Sequence, residues 1–225
     1  MATDLARNLA RIRERIDAAC LRAGRDPGEV RLVAVSKTVP AEIVEAGIEA
    51  GLTILGENYV QEAEAKIESI GRTRAAWHFI GRLQTNKARY AVRLFDLIHS
   101  VDSFKLAREL DKRAAGQGSR QAVLVQVNVS GEATKGGTAL DQAAELVDRI
   151  GGLPNLDLKG LMTMPPFFDQ PDRARPYFAS LRELKDRIGP PLVELSMGMS
   201  GDFEAAVEEG ATLVRVGTAL FGSRS

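Results

Sequence analysis

The chain is short of the residues that would build a covalent or metal framework. Cys20 is its only cysteine in 225 residues. No disulfide can therefore form within the chain, a cysteine-based zinc cluster is excluded, and a reducing cytoplasm suits it. His78 and His99 are the only histidines. They are too few and too far apart to suggest a metal site, and each reads as a packed or hydrogen-bonded core residue. An excess of one charge is also missing, because 30 Lys and Arg balance 30 Asp and Glu. That balance removes any general attraction to nucleic acid or an acidic membrane surface. Long apolar runs are absent as well. The opening "MATDLARNLARIRERIDAAC" is broken by charges every few residues, which fits neither a secretory signal nor a membrane span.

What is present is an alternation. Leu5, Leu9, Ile12, Ile16 and Cys20 recur at helical spacing, and Gly24 suits a helix end, so residues 3–23 are expected to form an amphipathic helix. Eight short apolar runs follow: "VRLVAVS", "LTILG", "AWHFIG", "FDLIHSV", "QAVLVQVNVS", "LDLKGLMTM", "PLVELSM" and "ATLVRVG". Helical stretches separate them, the first opening at Pro40. Strands alternating with helices imply right-handed crossovers and a parallel sheet. Eight of them favour closure, since a barrel leaves no strand at an edge. The expected fold is α/β: a single (β/α)8 TIM-type barrel over 1–225 with an extra N-terminal helix. That helix is expected where the last barrel helix would sit, because only "TALFGSRS" follows the eighth strand. The proline-dense "MPPFFDQPDRARP" follows strand six and reads as a loop on the functional face.

Active sites of such barrels form at the C-terminal strand ends. Lys37, in "AVSKTV", falls at one of them, in a chain with 22 Arg and 8 Lys. A lysine among apolar neighbours at a barrel mouth can be held as the neutral amine, which attacks a carbonyl to form a Schiff base. Arginine cannot. The loops after strands seven and eight often hold a phosphate in this fold, and here they carry Ser200, Gly217 and Thr218. Singly, Ser200 reads as an N-cap, and Gly217 and Thr218 as turn residues. Arg215 places a charge inside an apolar strand and needs an acceptor: Glu57, Glu194 or a ligand atom across the mouth. Asn58 either caps the next helix or meets a ligand. Met162, Met164, Met197 and Met199 cluster at the ends of strands six and seven, two of them expected in the core.

The motifs "VAVSKT", "GENYVQE", "WHFIGRLQTNK", "VQVNVS", "KGLMTM", "LSMGMSGDFEAAVEEG" and "VRVGTALFG", in this order, resemble those of the pyridoxal 5′-phosphate homeostasis proteins. The barrel of that family is similar to the N-terminal domain of alanine racemase. The resemblance implies pyridoxal 5′-phosphate bound covalently to Lys37, with Ser200, Gly217 and Thr218 around its phosphate. It also implies Arg215 facing the pyridine nitrogen, and Asn58, Met162 and Ser196 near the ring. An arginine there disfavours protonation of that nitrogen and weakens the ring as an electron sink. A racemase also needs a base on the opposite ring face, from a second domain that a chain ending at Ser225 is expected to lack. The implied role is buffering or delivery of the cofactor, with PLP-dependent apoenzymes as partners and no efficient turnover. The alternatives are a PLP-dependent amino-acid racemase and a Schiff-base sugar-phosphate aldolase. The protein is expected to be cytoplasmic and monomeric.

Overall fold

The computed structural model describes residues 2–132 and 134–222. Helix α1 runs Ala2–Arg22, one residue displaced from the expected span. It buries Leu5, Leu9, Ile12, Ile16 and Cys20. Gly24 follows in the left-handed region at φ 66°, where a side chain would be strained.

Nine strands follow: β1 Arg31–Val35, β2 Ile54–Glu57, β3 Ala76–Phe79, β4 Leu97–Val101, β5 Gln121–Asn128, β6 Thr138–Ala139, β7 Leu156–Met162, β8 Glu194–Ser196 and β9 Leu213–Val216. Eight pair in parallel around a closed ring, β1-β2-β3-β4-β5-β7-β8-β9 and back to β1. These are the eight apolar runs of the sequence. The two-residue β6 is an addition, paired only beside β5 in the loop that follows it. Closure removes the open edges that an eight-stranded sheet would otherwise expose.

Helices α2 Ala41–Glu49, α3 Val60–Ile70, α4 Ala88–Leu94, α5 Phe104–Ala115, α6 Ala143–Gly151, α7 Arg175–Ile188, α8 Phe203–Glu208 and α9 Thr218–Phe221 surround the ring. Alternation along the strands divides the core in two. Ala34, Leu55, Trp77, Ile98, Leu161 and Val214 join the helices in the outer layer. Val33, Ile54, Leu97, Leu124, Met162 and Leu213 form a separate cluster inside the barrel. Each fully buried aliphatic side chain contributes roughly 1.5–3 kcal/mol.

Helix α1 packs against α8, α9 and α2. It therefore fills the gap that a helix after β9 would occupy, a place the four-residue α9 is too short to cover. Asn8 Nδ2 donates to the Leu220 carbonyl at 3.0 Å and ties the two together. No helix among the described residues is long and apolar enough to cross a membrane.

Candidate functional site

The barrel interior changes character from one end to the other. Above the aliphatic cluster sit His78, His99, Ser196 and Arg215, all buried. Buried polar groups are tolerated only when satisfied, and these four satisfy one another. Arg215 Nη1 donates to Ser196 Oγ at 2.6 Å and Nη2 to the Thr163 carbonyl at 2.8 Å. Ser196 Oγ lies 2.9 Å from His99 Nδ1, and His99 Nε2 lies 3.0 Å from His78 Nδ1. A guanidinium only donates, so Ser196 accepts from Arg215, and the ring nitrogens of His99 and His78 continue the chain. Burial keeps both histidines neutral. Burial pushes His78 down to about 4, against the pull of Asp96, and lowers His99 as well, with the charges of His78 and Arg215 adding to the effect. Burial likewise lowers Arg215 to about 10, so it is a cation at neutral pH.

The expected carboxylate partners of Arg215 are engaged elsewhere. Glu194 binds Arg31 at 2.5 Å and accepts from Thr212 Oγ1 at 2.6 Å. Glu57 binds Lys66. The guanidinium instead uses a neutral hydroxyl and a carbonyl, and among the described residues no carboxylate pairs with it directly, although the charge of Asp202 acts on it.

Lys37 stands half buried just past the end of β1. Both of its neighbours are tied down. Ser36 Oγ donates to Glu57 Oε1 at 2.7 Å, and the Ser36 carbonyl accepts from Lys66 Nζ at 2.5 Å. The Thr38 amide donates to Glu62 Oε1 at 2.5 Å. Lys66, on α3, also binds Glu57 at 2.8 Å and Glu62 at 2.7 Å. Burial pushes the Glu57 carboxyl up, and the hydrogen bond and charge of Lys66 pull it back. Thr38 holds φ 60°, a left-handed conformation that costs a β-branched residue about 1–2 kcal/mol. In the sequence Lys66 carries no mark of its own, standing among charged residues of a helical stretch. The readable signal was Glu57, a carboxylate ending an apolar strand and therefore in need of a buried cation.

Asn58 follows β2, the neighbour of β1 in the ring. It does not cap α3, whose cap position is Tyr59, without a side-chain bond. Its backbone is fixed from the other side by Gly81, where an added Cβ would lie 2.2 Å from the Asn58 carbonyl oxygen. Gly81→Ala should push Asn58 away and cost about 1–3 kcal/mol, read as a lower urea midpoint with an unchanged slope. An unchanged midpoint would show that the two loops separate freely.

On the other side of β1 lies β9, leading into Gly217 and Thr218. Ser200 Oγ accepts from the Gly217 amide at 3.3 Å and the Ala219 amide at 3.4 Å. Ser200 is thus not the N-cap of α8. A turn over Met199–Asp202 intervenes, in which Asp202 Oδ1 accepts from the Met199 amide at 2.6 Å. Gly198 permits this turn at φ 88°, where a Cβ would meet that of Ala206 at 2.5 Å. Two turns from different strand ends are therefore joined through one hydroxyl, and the Gly217 and Ala219 amides that meet at it are donors of the kind that can receive an anion. Thr218 is exposed beside them.

Of the four methionines, Met162 and Met197 are buried in the core, Met164 is exposed and Met199 half buried. A cavity of about 350 Å³ opens at this end, lined in part by Asn58, Arg82, Gln126, Lys135 and Met164. The strand order brings Lys37 and Asn58 to one side of the mouth, with Ser196, Ser200, Arg215, Gly217 and Thr218 on the adjoining side. Met162 contributes from within the barrel. An amine, a fixed cation and an anion-receptive pair of turns suit a phosphorylated carbonyl compound. Among the described residues no group of three His, Cys, Asp or Glu is placed to hold a metal ion.

Residues 6–225 match the family model for the alanine racemase N-terminal domain. The chain is 49% identical over 220 residues to the pyridoxal phosphate homeostasis protein of Aquifex aeolicus, covering 96% of each. It is 42% identical over 228 residues to the protein of that name in Escherichia coli K12, covering 98% and 97%. Among solved structures it is similar to PipY of Synechococcus elongatus PCC7942 with PLP bound. That match has a TM-score of 0.85 and 36% identity, covering 97% of this chain and 100% of that one.

Proposed function

The chain belongs to the pyridoxal phosphate homeostasis protein family, and from that premise we propose that it binds pyridoxal 5′-phosphate at the barrel mouth. Its role in this reading is vitamin B6 homeostasis, through buffering the cofactor or delivering it to PLP-dependent apoenzymes, without efficient catalytic turnover. The observation that carries the reading is the meeting of three unlike groups at one mouth. They are the Lys37 amine after β1, the Ser200–Gly217–Ala219 donor group after β8 and β9, and the buried Arg215 cation between them.

Each group has a task in this reading. Lys37 forms a covalent C=N link to the cofactor aldehyde. Ser200 and the amides of Gly217 and Thr218 bind the phosphate, with the Ser200 hydroxyl reorienting from acceptor to donor. Arg215, steadied by Ser196 and Thr163, faces the pyridine nitrogen, and Asn58 and Met162 flank the ring. When bound, the cofactor supplies an electrophilic aldehyde and an electron-withdrawing ring. Arg215 tempers the second of these, because a cation beside the ring nitrogen opposes its protonation. Neutral His78 and His99 behind Ser196 offer no counter-charge that would reverse the effect.

The test is borohydride reduction of the PLP-loaded protein followed by peptide mass mapping. Lys37 should carry the cofactor mass, and the loaded protein should convert no amino acid in a panel of enantiomers faster than free PLP does. A label confined to another lysine would overturn the covalent assignment. Turnover well above free PLP would overturn the carrier reading.

A further inference from the structure

Lys66, on α3, binds three groups around the strand end that carries Lys37: one on that strand end, one on β2 and one on its own helix. Its ammonium binds the Ser36 carbonyl at 2.5 Å, Glu57 at 2.8 Å and Glu62 at 2.7 Å. The two carboxylates pass the restraint on, Glu57 to the Ser36 hydroxyl at 2.7 Å and Glu62 to the Thr38 amide at 2.5 Å. Residues 36 and 38 are thus each fixed by a hydrogen bond to a carboxylate, and both carboxylates are salt-bridged to one buried cation. Thr38 is held at φ 60°, a conformation that persists only where its surroundings impose it.

We propose that Lys66 is a positioning residue for Lys37, clamping the Ser36–Thr38 segment so that the Lys37 amine is aimed at the mouth before the cofactor arrives. This deepens the reading above and rests on it. In the covalent step the Lys37 nitrogen adds to the aldehyde carbon, the C=N bond forms, and the carbonyl oxygen leaves as water with the two amine protons. Orientation governs the rate of such a step more than the strength of noncovalent binding. The clamp should therefore act on condensation and leave phosphate recognition, made on β8 and β9, unaffected.

Two ligands separate these effects. Pyridoxal 5′-phosphate reports condensation through its absorption change, and pyridoxine 5′-phosphate, an alcohol without the aldehyde, reports noncovalent binding alone. Lys66→Met should slow condensation at least tenfold while pyridoxine 5′-phosphate affinity stays within twofold. Glu62→Ala removes the Thr38 tether together with one of the two Lys66 salt bridges, from a side chain 25% exposed, leaves the Lys66–Glu57 pair in place, and should slow condensation several-fold in a protein that still folds. If Lys66→Met fails to fold, Glu62→Ala and the charge-free pair Glu57→Gln with Lys66→Met decide. Wild-type condensation rates in the folded variants, or equal losses for both ligands, would overturn the proposal. Failure of the wild-type protein to trap cofactor on Lys37 would instead overturn the functional reading beneath it.

Discussion

Lys37→Ala, mixed with pyridoxal 5′-phosphate, should lose the saturable absorption change and the borohydride-trapped adduct entirely, yet still bind pyridoxine 5′-phosphate. The covalent link needs a primary amine, and none of the 22 arginines in the chain can supply one. Three of the other lysines are held in ion pairs. Lys66 is buried in its two salt bridges, and Lys159 and Lys185 pair with Asp157 and Asp186. In the proposed site the contacts left after removal of Lys37 would be those of Ser200, Gly217, Thr218 and Arg215, and hydrogen bonds to charged groups contribute about 1.5–3 kcal/mol each. Noncovalent affinity for the alcohol therefore survives. A full wild-type band in Lys37→Ala would place the covalent chemistry elsewhere.

Acid should destabilise the fold well above the pH at which ordinary surface carboxylates titrate. His78 is held neutral down to about 4 against an ordinary value of 6.5. Between these values the unfolded chain takes up a proton that the native barrel refuses, so stability falls as pH drops through that window. One histidine costs roughly 1.4 kcal/mol per pH unit there, or roughly 3 kcal/mol by pH 4. His99, shifted in the same direction, adds to it. Urea midpoints from pH 7 to 5 should show wild type losing about 2 kcal/mol from His78 that His78→Gln does not lose. The glutamine keeps an acceptor for His99 without gaining a charge. Superimposed curves for the two proteins would disprove the neutral pair.

The strand order and the mouth were legible because they depend on local pattern. Each strand declared itself by a short apolar run, and Ser200 and Gly217 stood in the turns where this architecture places anion donors. Arg215 was visible as a charge in an apolar strand, but its partners were not. Choosing among Glu57, Glu194 and Ser196 requires knowing which acceptors are already taken, and Arg31 and Lys66 take two of them from distant positions. Lys66 was hidden for a related reason. On α3 it differs from a solvated lysine only through Glu57, nine residues earlier and on a different element. The His78–His99 pair could not be read from spacing, because their separation of 21 positions spans a full helix and only barrel closure turns both side chains inward. Ser200 misled in the opposite way. It looked like a helix cap because caps are local, whereas its partners lie 17 and 19 residues away.

The position of α1 bears on the order in which the chain assembles. Leu5, Leu9, Ile12 and Ile16 are made long before α8 and α9, which cover them. The Asn8–Leu220 bond spans 212 positions. Until α8 and α9 are made, α1 has an oily stripe and α2 to lean on, and its docking must await them. Loop-closure entropy makes so distant a contact slow to form, which places the seating of α1 late on the folding route.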